Sequence, residues 1–186
     1  MPKNEKRAVV IGLGNPGKEY GHTYHNAGWL AVDAWMDVTI KNMAPSGEIP
    51  CFKTYKKLFE FAETDKIIFV KPLTYMNQSG KAIREALKKF GAKPENLIVI
   101  HDDSDLIMGT YKISFARNSA GHKGVQSIID ALKTNEFQRI RIGIRPAKEK
   151  RRQKAGEFAL KNISPADRKI LAQLFIGIIE RQLERI

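Results

Sequence analysis

Cysteine, long apolar runs and a leader-like segment are all scarce or missing in this sequence. Among 186 residues there are one cysteine, Cys51, and four histidines. A lone cysteine excludes an internal disulfide and a metal site built from cysteines. No apolar run reaches the roughly 20 residues that span a bilayer. The first residues, MPKNEKR, are charged and lead directly into an apolar strand pattern, unlike a signal peptide. We therefore expect a cytoplasmic protein without a membrane partner.

Acidic residues are scarce relative to basic ones. The chain has 20 Asp and Glu residues against 32 Lys and Arg residues, which gives a net charge of +12. This excess favours a polyanionic partner such as nucleic acid, with a merely solvated surface as the alternative. The most basic run is 146–154, and such runs are often mobile and solvated. The length and the hydrophobic content of 42% fit a single domain over residues 1–186.

Strand-like and helix-like patterns alternate along the chain. Strands are predicted over residues 8–11, 52–55, 58–64, 66–71, 97–100, 111–115 and 139–145. Helices are predicted over residues 26–41, 81–90 and 125–133, and from Ser164 to the C-terminus. Strands that alternate with helices predict a single α/β domain with a largely buried sheet.

The stretch GLGNPGKEYGHTYHNAG, residues 12–28, follows the first predicted strand and precedes the first predicted helix. Its glycines permit sharp turns and close approach of the backbone to a ligand. It also carries polar side chains of several kinds, namely Asn15, Tyr20, His22, His25 and Asn26. Because loops at the carboxyl ends of strands form the ligand crevice of an open α/β sheet, this loop is a candidate active site.

A dinucleotide-binding fingerprint is the first alternative for this loop. Gly12, Gly14 and Gly17 fit the pattern GxGxxG after a strand. That fingerprint needs a helix that begins at the third glycine, so that the helix N-terminus faces the pyrophosphate. Here polar residues follow Gly17, and no helical pattern begins before about Ala27. The pattern is therefore weak evidence for nucleotide binding.

Polar residues follow three further predicted strands, which suggests that several loops converge on one site. The residues concerned are Tyr75 and Asn77, His101 and Asp102, and His122. A histidine such as His25 beside a carboxylate has the outline of a general-base pair. No serine lies in a GxSxG motif, so for a hydrolase we expect an activated water as the nucleophile.

Structural and metal-binding interpretations of these residues remain open. His22 and His25 could be metal ligands, although no HExxH motif is present and histidines are few. The aspartates at 102, 103 and 105 lack the glycine and the closing glutamate of an EF-hand loop. His101 is a candidate for a hydrogen-bonded structural histidine. We expect neither a metal nor a cofactor.

Taken together, the motifs closely resemble those of bacterial-type peptidyl-tRNA hydrolases. In the family's order they are GLGNPGKEY (12–20), TYHNAG (23–28), KPLTYMNQSG (71–80), HDDSD (101–105), SAGHKG (119–124) and FQRIRIGI (137–144). The resemblance implies a single α/β domain with a mixed, mostly parallel central sheet and helices on both faces. It also implies hydrolysis of the ester that joins a peptide to the 3′ ribose of tRNA, by a monomer.

The resemblance assigns roles to residues of this chain. His25 matches the general base, Asp102 the carboxylate that stabilises it, and Asn15 the amide that distinguishes N-blocked from free aminoacyl-tRNA. Other positions match contacts with the peptide or the tRNA, and these are Tyr20, Tyr75, Asn77, His122, Lys123 and Arg141. Of these, Arg141 matches a basic residue near the tRNA 5′ phosphate.

Three positions depart from the family's pattern. Tyr24 replaces a common arginine, and we expect it to face the surface with little effect on catalysis. Lys123 replaces an asparagine that contacts substrate, and a lysine ammonium cannot accept a hydrogen bond. Ser114 replaces a basic residue, for which Arg117 or Lys112 could substitute. An active hydrolase is the leading hypothesis, and a catalytically inactive relative that binds RNA is the alternative.

Overall fold

Seven strands and five α-helices lie within residues 7–42, 49–147 and 155–185, which are the parts of the chain that the computed structural model describes. The strands are β1 (Ala8–Gly12), β2 (Lys53–Tyr55), β3 (Phe59–Glu63), β4 (Ile67–Pro72), β5 (Leu97–Ile107), β6 (Tyr111–Phe115) and β7 (Gln138–Arg145). The helices are α1 (Ala27–Lys41), α2 (Ser79–Phe90), α3 (Lys123–Leu132), α4 (Ala155–Ala159) and α5 (Pro165–Leu183). Most of the basic run predicted at 146–154 lies outside the described residues.

All seven strands form one sheet in the order β2-β3-β4-β1-β5-β7-β6. The central pairs β4–β1, β1–β5 and β5–β7 are parallel. The pairs β2–β3, β3–β4 and β6–β7 are antiparallel, so β2 runs in the same direction as the central four strands. Five of the seven strands therefore share one direction, and the prediction of a mixed, mostly parallel sheet is confirmed.

Helices cover both faces of the sheet, as predicted. Successive side chains of a strand point to opposite faces, and β1 shows this directly. Val10 packs in a core cluster with residues of α1 and α5. Val9 and Ile11 pack in a second cluster with residues of α2 and α3. Burial of β1 on both faces explains why its sequence is a continuous apolar run.

Strand β5 is longer than its apolar sequence suggested. The prediction that the strand ends at Ile100 and leaves His101 and Asp102 in a loop is wrong, because the strand continues to Ile107. Its pairing with β7 extends three residues beyond the apolar run, so backbone hydrogen bonds continue the strand. His101 and Asp102 are consequently buried strand residues rather than loop residues.

Close backbone packing accounts for two glycines of the 12–28 stretch. A Cβ at Gly12 would lie 2.3 Å from the carbonyl oxygen of Gly28, and a Cβ at Gly28 would lie 2.4 Å from that of Ile100. The glycines thus allow α1 to begin against β1 and β5. Helix α1 begins at Ala27 and not at Gly17, so the helix that a dinucleotide fingerprint requires is absent from this position.

Within the described ranges, no helix has both the length and the apolar character that crossing a bilayer requires.

Candidate active site

The loops that follow β1, β4 and β6 meet the end of β5 around one cleft of about 850 Å³. Eight of the nine predicted site residues line it, namely Asn15, His25, Tyr75, Asn77, Asp102, His122, Lys123 and Arg141. The ninth, Tyr20, makes an edge contact with the ring of Tyr75, at 6.5 Å between centroids. The carboxyl ends of the parallel strands β1, β4 and β5 lie at the same edge of the sheet, and the segment after the antiparallel β6 returns to that edge at the start of α3.

Two imidazoles share the carboxylate of Asp102. Nδ1 of His25 lies 2.8 Å from Oδ1 of Asp102, and Nε2 of His122 lies 3.0 Å from the same oxygen. The Asp102 side chain is only 5% exposed, and that of His25 is 17% exposed. A buried carboxylate needs such donors because it has lost its hydration.

The hydrogen bonds distinguish the two rings. The backbone N–H of Val125 donates to Nδ1 of His122 at 3.3 Å, which makes His122 the N-cap of α3. His122 therefore donates to Asp102 through Nε2–H, and both of its nitrogens are engaged. His25 donates through Nδ1–H, and the described residues offer no partner to its Nε2. Of the two rings, His25 is the one with a nitrogen available to the cleft.

Charge and burial shift the pKa values of this cluster in opposite directions. Burial lowers the pKa of His25, but the negative charge and hydrogen bond of Asp102 outweigh burial, so this pKa is raised above the ordinary 6.5. Burial raises the pKa of Asp102, yet the two imidazoles bring it well below its usual range. Burial and the neighbouring His122 hold the pKa of His101 well below 6.5. The cluster therefore combines a carboxylate, a basic imidazole and a neutral one.

Asn15 is held by three hydrogen bonds, and no described residue accepts a hydrogen bond from its side-chain NH₂. Its side-chain oxygen accepts a hydrogen bond from the backbone N–H of Met76 at 2.8 Å. Its backbone N–H and carbonyl bond to the side chain of Asn26, at 2.9 and 3.0 Å. Because Oδ1 is engaged, the side-chain orientation is fixed with Nδ2 as the remaining donor. Asn15 can therefore offer a hydrogen bond within the cleft beside His25.

Four of the predicted contact residues differ in exposure and in how far their charge is compensated. Tyr75 is 55% exposed, and Asn77 is exposed beside it. Lys123 is exposed at the first position of α3, and its charge opposes the rise in the pKa of His25. Arg141 donates from Nε to Oδ2 of Asp103 at 2.6 Å, so part of its charge is already compensated.

Arg139 is a cleft residue that the sequence reasoning missed. It is 3% exposed, it lines the cleft, and its Nη2 donates to the backbone carbonyl of Asn118 at 3.0 Å. It stands two residues before Arg141 in β7, so both side chains lie on the same face of the sheet. The alternation of arginine and isoleucine in that strand is the signal that could have found it.

His25, Asp102 and His122 are also close enough to be metal ligands. Their donor atoms lie within 4.8 Å of one another. Hydrogen bonds account for this arrangement, because Asp102 Oδ1 accepts from both rings and His122 Nδ1 caps α3. His22, the other histidine considered as a ligand, is exposed and is not part of this group.

Comparison with known proteins places the chain in a family. The family model described as "Peptidyl-tRNA hydrolase" matches residues 9–184. The peptidyl-tRNA hydrolase of Aquifex aeolicus is 37% identical over 168 residues, which cover 89% of this chain and 83% of that protein. The peptidyl-tRNA hydrolase of Persephonella marina is 35% identical over 188 residues, which cover 95% of this chain and 93% of that protein. The chain belongs to the peptidyl-tRNA hydrolase family.

A solved structure supports the same fold. The peptidyl-tRNA hydrolase of Acinetobacter baumannii superposes with a TM-score of 0.76, over 97% of this chain and 92% of that one, at 23% sequence identity. This confirms the predicted fold class, and the family model and the relatives above confirm the predicted family and the assignment to a hydrolase family.

One departure from the family's pattern was misjudged. The prediction that Tyr24 faces the surface is wrong, because Tyr24 is only 5% exposed. Its ring stacks on Phe158 at 4.7 Å between centroids, and its hydroxyl lies 2.5 Å from Oδ2 of Asp167. Both partners lie more than 130 residues further along the chain, so local sequence gives no sign of them.

Ser114 stands where the family's pattern has a basic residue, and basic side chains lie close to it in the sheet. Ser114 lies opposite Arg139 in the antiparallel pair β6–β7, and Lys112 lies opposite Arg141. Directly opposite residues project from the same face of the sheet. Lys112 is exposed. Of the two candidates named from the sequence, Arg117 and Lys112, it is Lys112 that lies opposite Arg141.

Proposed function

We propose that this chain hydrolyses the ester between a peptide and the 3′ ribose of tRNA, with His25 as the general base. The observation that carries the proposal is the 2.8 Å contact between His25 Nδ1 and Asp102, which leaves Nε2 as the acceptor in a cleft. The raised pKa of His25 agrees with this role, since a base near neutrality is the most effective at neutral pH.

The reaction needs a base, a water and donors for the developing oxyanion. A water held by Nε2 of His25 attacks the ester carbonyl as the imidazole takes its proton, and Asp102 stabilises the imidazolium. The NH₂ group of Asn15 donates to the carbonyl oxygen as negative charge develops there. When the C–O bond breaks, the proton passes from His25 to the 3′ oxygen of the ribose. The products are a free tRNA and a peptide carboxylic acid, which releases its proton to solvent and leaves as the carboxylate.

The remaining predicted site residues serve binding in this proposal. Tyr20 and Tyr75 offer aromatic surface to the terminal base and the first peptide unit. Asn77 and Lys123 can donate to carbonyl or phosphate oxygens. Arg141, although paired with Asp103, and the net charge of +12 supply salt-sensitive affinity for tRNA phosphates. His122 holds Asp102 in place.

Single-turnover hydrolysis of an N-acetyl-aminoacyl-tRNA tests this function. The same reaction with the unblocked aminoacyl-tRNA is the substrate control, and His25→Ala is the protein control. We expect rapid cleavage of the blocked ester alone, and a rate about 10² to 10⁴ times lower in the variant. Tight, salt-sensitive tRNA binding without cleavage would instead place the chain with RNA-binding relatives that have lost catalysis.

A further inference from the structure

We propose that Tyr24 is a positioning residue for His25, which anchors the base to the C-terminal part of the chain. The proposal rests on the proposed function only in taking His25 as the base. Tyr24 is the first residue of the single-turn 3₁₀ helix Tyr24–Asn26, in which His25 is the middle residue. A displacement of Tyr24 is therefore transmitted to the His25 backbone directly.

The anchor consists of side-chain and backbone contacts. The Tyr24 ring stacks on Phe158 of α4 with 22° between the ring planes, and its hydroxyl donates to Asp167 of α5. The backbone N–H of Tyr24 donates to the carbonyl of Lys161 at 3.1 Å. The N–H of Ile163 donates to the carbonyl just before this segment, that of His22, at 2.8 Å. The segment that carries His25 is thus paired with the connection between α4 and α5.

The partner of the hydroxyl is itself fixed. Oδ2 of Asp167 also accepts from Oγ of Ser164 at 2.8 Å, and Ser164 Oγ accepts from the backbone N–H of Asp167 as the N-cap of α5. Burial and the carboxylate raise the pKa of Tyr24, which keeps the phenol protonated as a donor. The Tyr24 hydroxyl therefore binds to a helix terminus that is already ordered.

His25 is held from its other side as well. The side chain of Asn26 forms two hydrogen bonds with the backbone of Asn15, at 2.9 and 3.0 Å. The residues that precede and follow His25 are therefore both anchored to other parts of the chain. Catalytic geometry tolerates displacements of only a fraction of an ångström, so loss of either anchor lowers the fraction of productive complexes.

The same contact reaches the wall of the cleft. Phe158 belongs to α4, and Ala159 and Leu160, which follow it, line the cleft. Leu160 is 50% exposed there. Tyr24 therefore sets the spacing between the base and an apolar wall that the substrate would contact.

Tyr24→Phe is the variant that tests this role, because it keeps the ring stack and removes only the hydroxyl. Tyr111→Phe is the matched control, since the Tyr111 hydroxyl also contacts α5, through Arg181 at 3.5 Å, and lies outside the cleft lining. We expect Tyr24→Phe to lower kcat by about three- to thirty-fold with little change in KM. We expect Tyr111→Phe to leave both unchanged.

Two further readouts separate positioning from mere stabilisation. We expect the pKa of His25, followed by NMR titration of its imidazole, to fall towards 6.5 in Tyr24→Phe, because its contact with Asp102 loosens. We expect Tyr24→Arg to have a kcat close to that of the wild-type protein, since a guanidinium can both stack on Phe158 and donate to Asp167. A lower Tm with unchanged kcat and unchanged His25 titration would overturn the proposal. The titration needs no substrate, so it decides the question even if the wild-type protein proves inactive.

Discussion

At the scale of single residues, the site is organised around one buried carboxylate. Asp102 holds His25 and His122 through its side chain, and its backbone carbonyl lies 2.7 Å from Nδ1 of His101. Three imidazoles thus contact Asp102, two at its carboxylate and one at its backbone carbonyl, and they are not equivalent. His122 is committed to capping α3, and burial keeps His101 neutral. His25 is the ring that keeps a nitrogen free of any partner among the described residues.

The charge of Lys123 acts on the pKa of His25. Its ammonium lowers the pKa of His25, so Lys123→Asn should raise that pKa. Because the base acts in its neutral form, the acid limb of kcat/KM against pH should move to higher pH in the variant. Lys133→Asn removes the same charge beyond the far end of α3 and should leave the limb where it is. A limb that stays fixed or moves to lower pH in Lys123→Asn would contradict this.

Sequence motifs predicted the residues of the cleft far better than they predicted what holds them. Asn15, His25 and Asp102 lie within motifs that the family shares, so the resemblance identified them. Tyr24 was misjudged because its partner Asp167 is 143 residues away and belongs to no motif. Arg139 was missed because only Arg141 of the two alternating arginines in β7 matches a family contact, although both side chains project from the same face of the sheet.

At the scale of secondary structure elements, the core was predictable and the element boundaries at the site were not. Apolar runs located the central strands β1, β4 and β5, because a strand buried on both faces must be apolar. Helices α2 and α3 begin two residues earlier than predicted, at Ser79 and Lys123. A 3₁₀ turn leads into α2, and the His122 side chain caps α3. The N-cap residues are Gln78 and His122, so both starts lack the Ser, Thr, Asp or Asn that usually signals a helix start in a sequence.

Two glycine substitutions should change the free energy of unfolding in opposite directions, because Gly28 is closely packed against the sheet and Gly177 is not. Gly28→Ala would place a Cβ 2.4 Å from the Ile100 carbonyl oxygen, so we expect it to lower the free energy of unfolding by roughly 1–3 kcal/mol or more. Gly177→Ala, exposed within α5 with no atom within 4 Å of its added Cβ, should raise it by about 0.5–1 kcal/mol. Urea unfolding measures both. Equal effects would contradict the packing argument.

At the scale of the whole molecule, basic side chains lie both at the sheet edge that carries the cleft and at the opposite end of the molecule. Lys56 and Lys57 form the turn between β2 and β3, with φ of 48° and 55°. That turn lies at the cleft edge, because the Leu58 carbonyl accepts from the N–H of Leu73 at 2.8 Å, shortly before Tyr75. Lys133, with φ of 58°, follows α3 at the opposite end.

Lys57 and Lys133 allow a matched test of where tRNA binds. Lys57→Gly and Lys133→Gly each remove one positive charge, and each replaces a side chain at positive φ by glycine, so neither should destabilise the fold. We expect Lys57→Gly to weaken tRNA binding and to reduce the slope of log K against log salt by about 1. Lys133→Gly should change neither quantity. Equal loss in both variants would mean that the net charge matters and its position does not.

The pH dependence of kcat/KM for N-acetyl-aminoacyl-tRNA, compared between the wild-type protein and Asp102→Asn, tests the pairing of base and carboxylate most directly. In the wild type, Asp102 raises the pKa of His25, so the acid limb should lie above pH 6.5. In the variant the limb should move to lower pH, and the plateau should fall by about 10² to 10⁴. An acid limb and a plateau that are the same in both proteins would contradict the assignment of His25, supported by Asp102, as the general base.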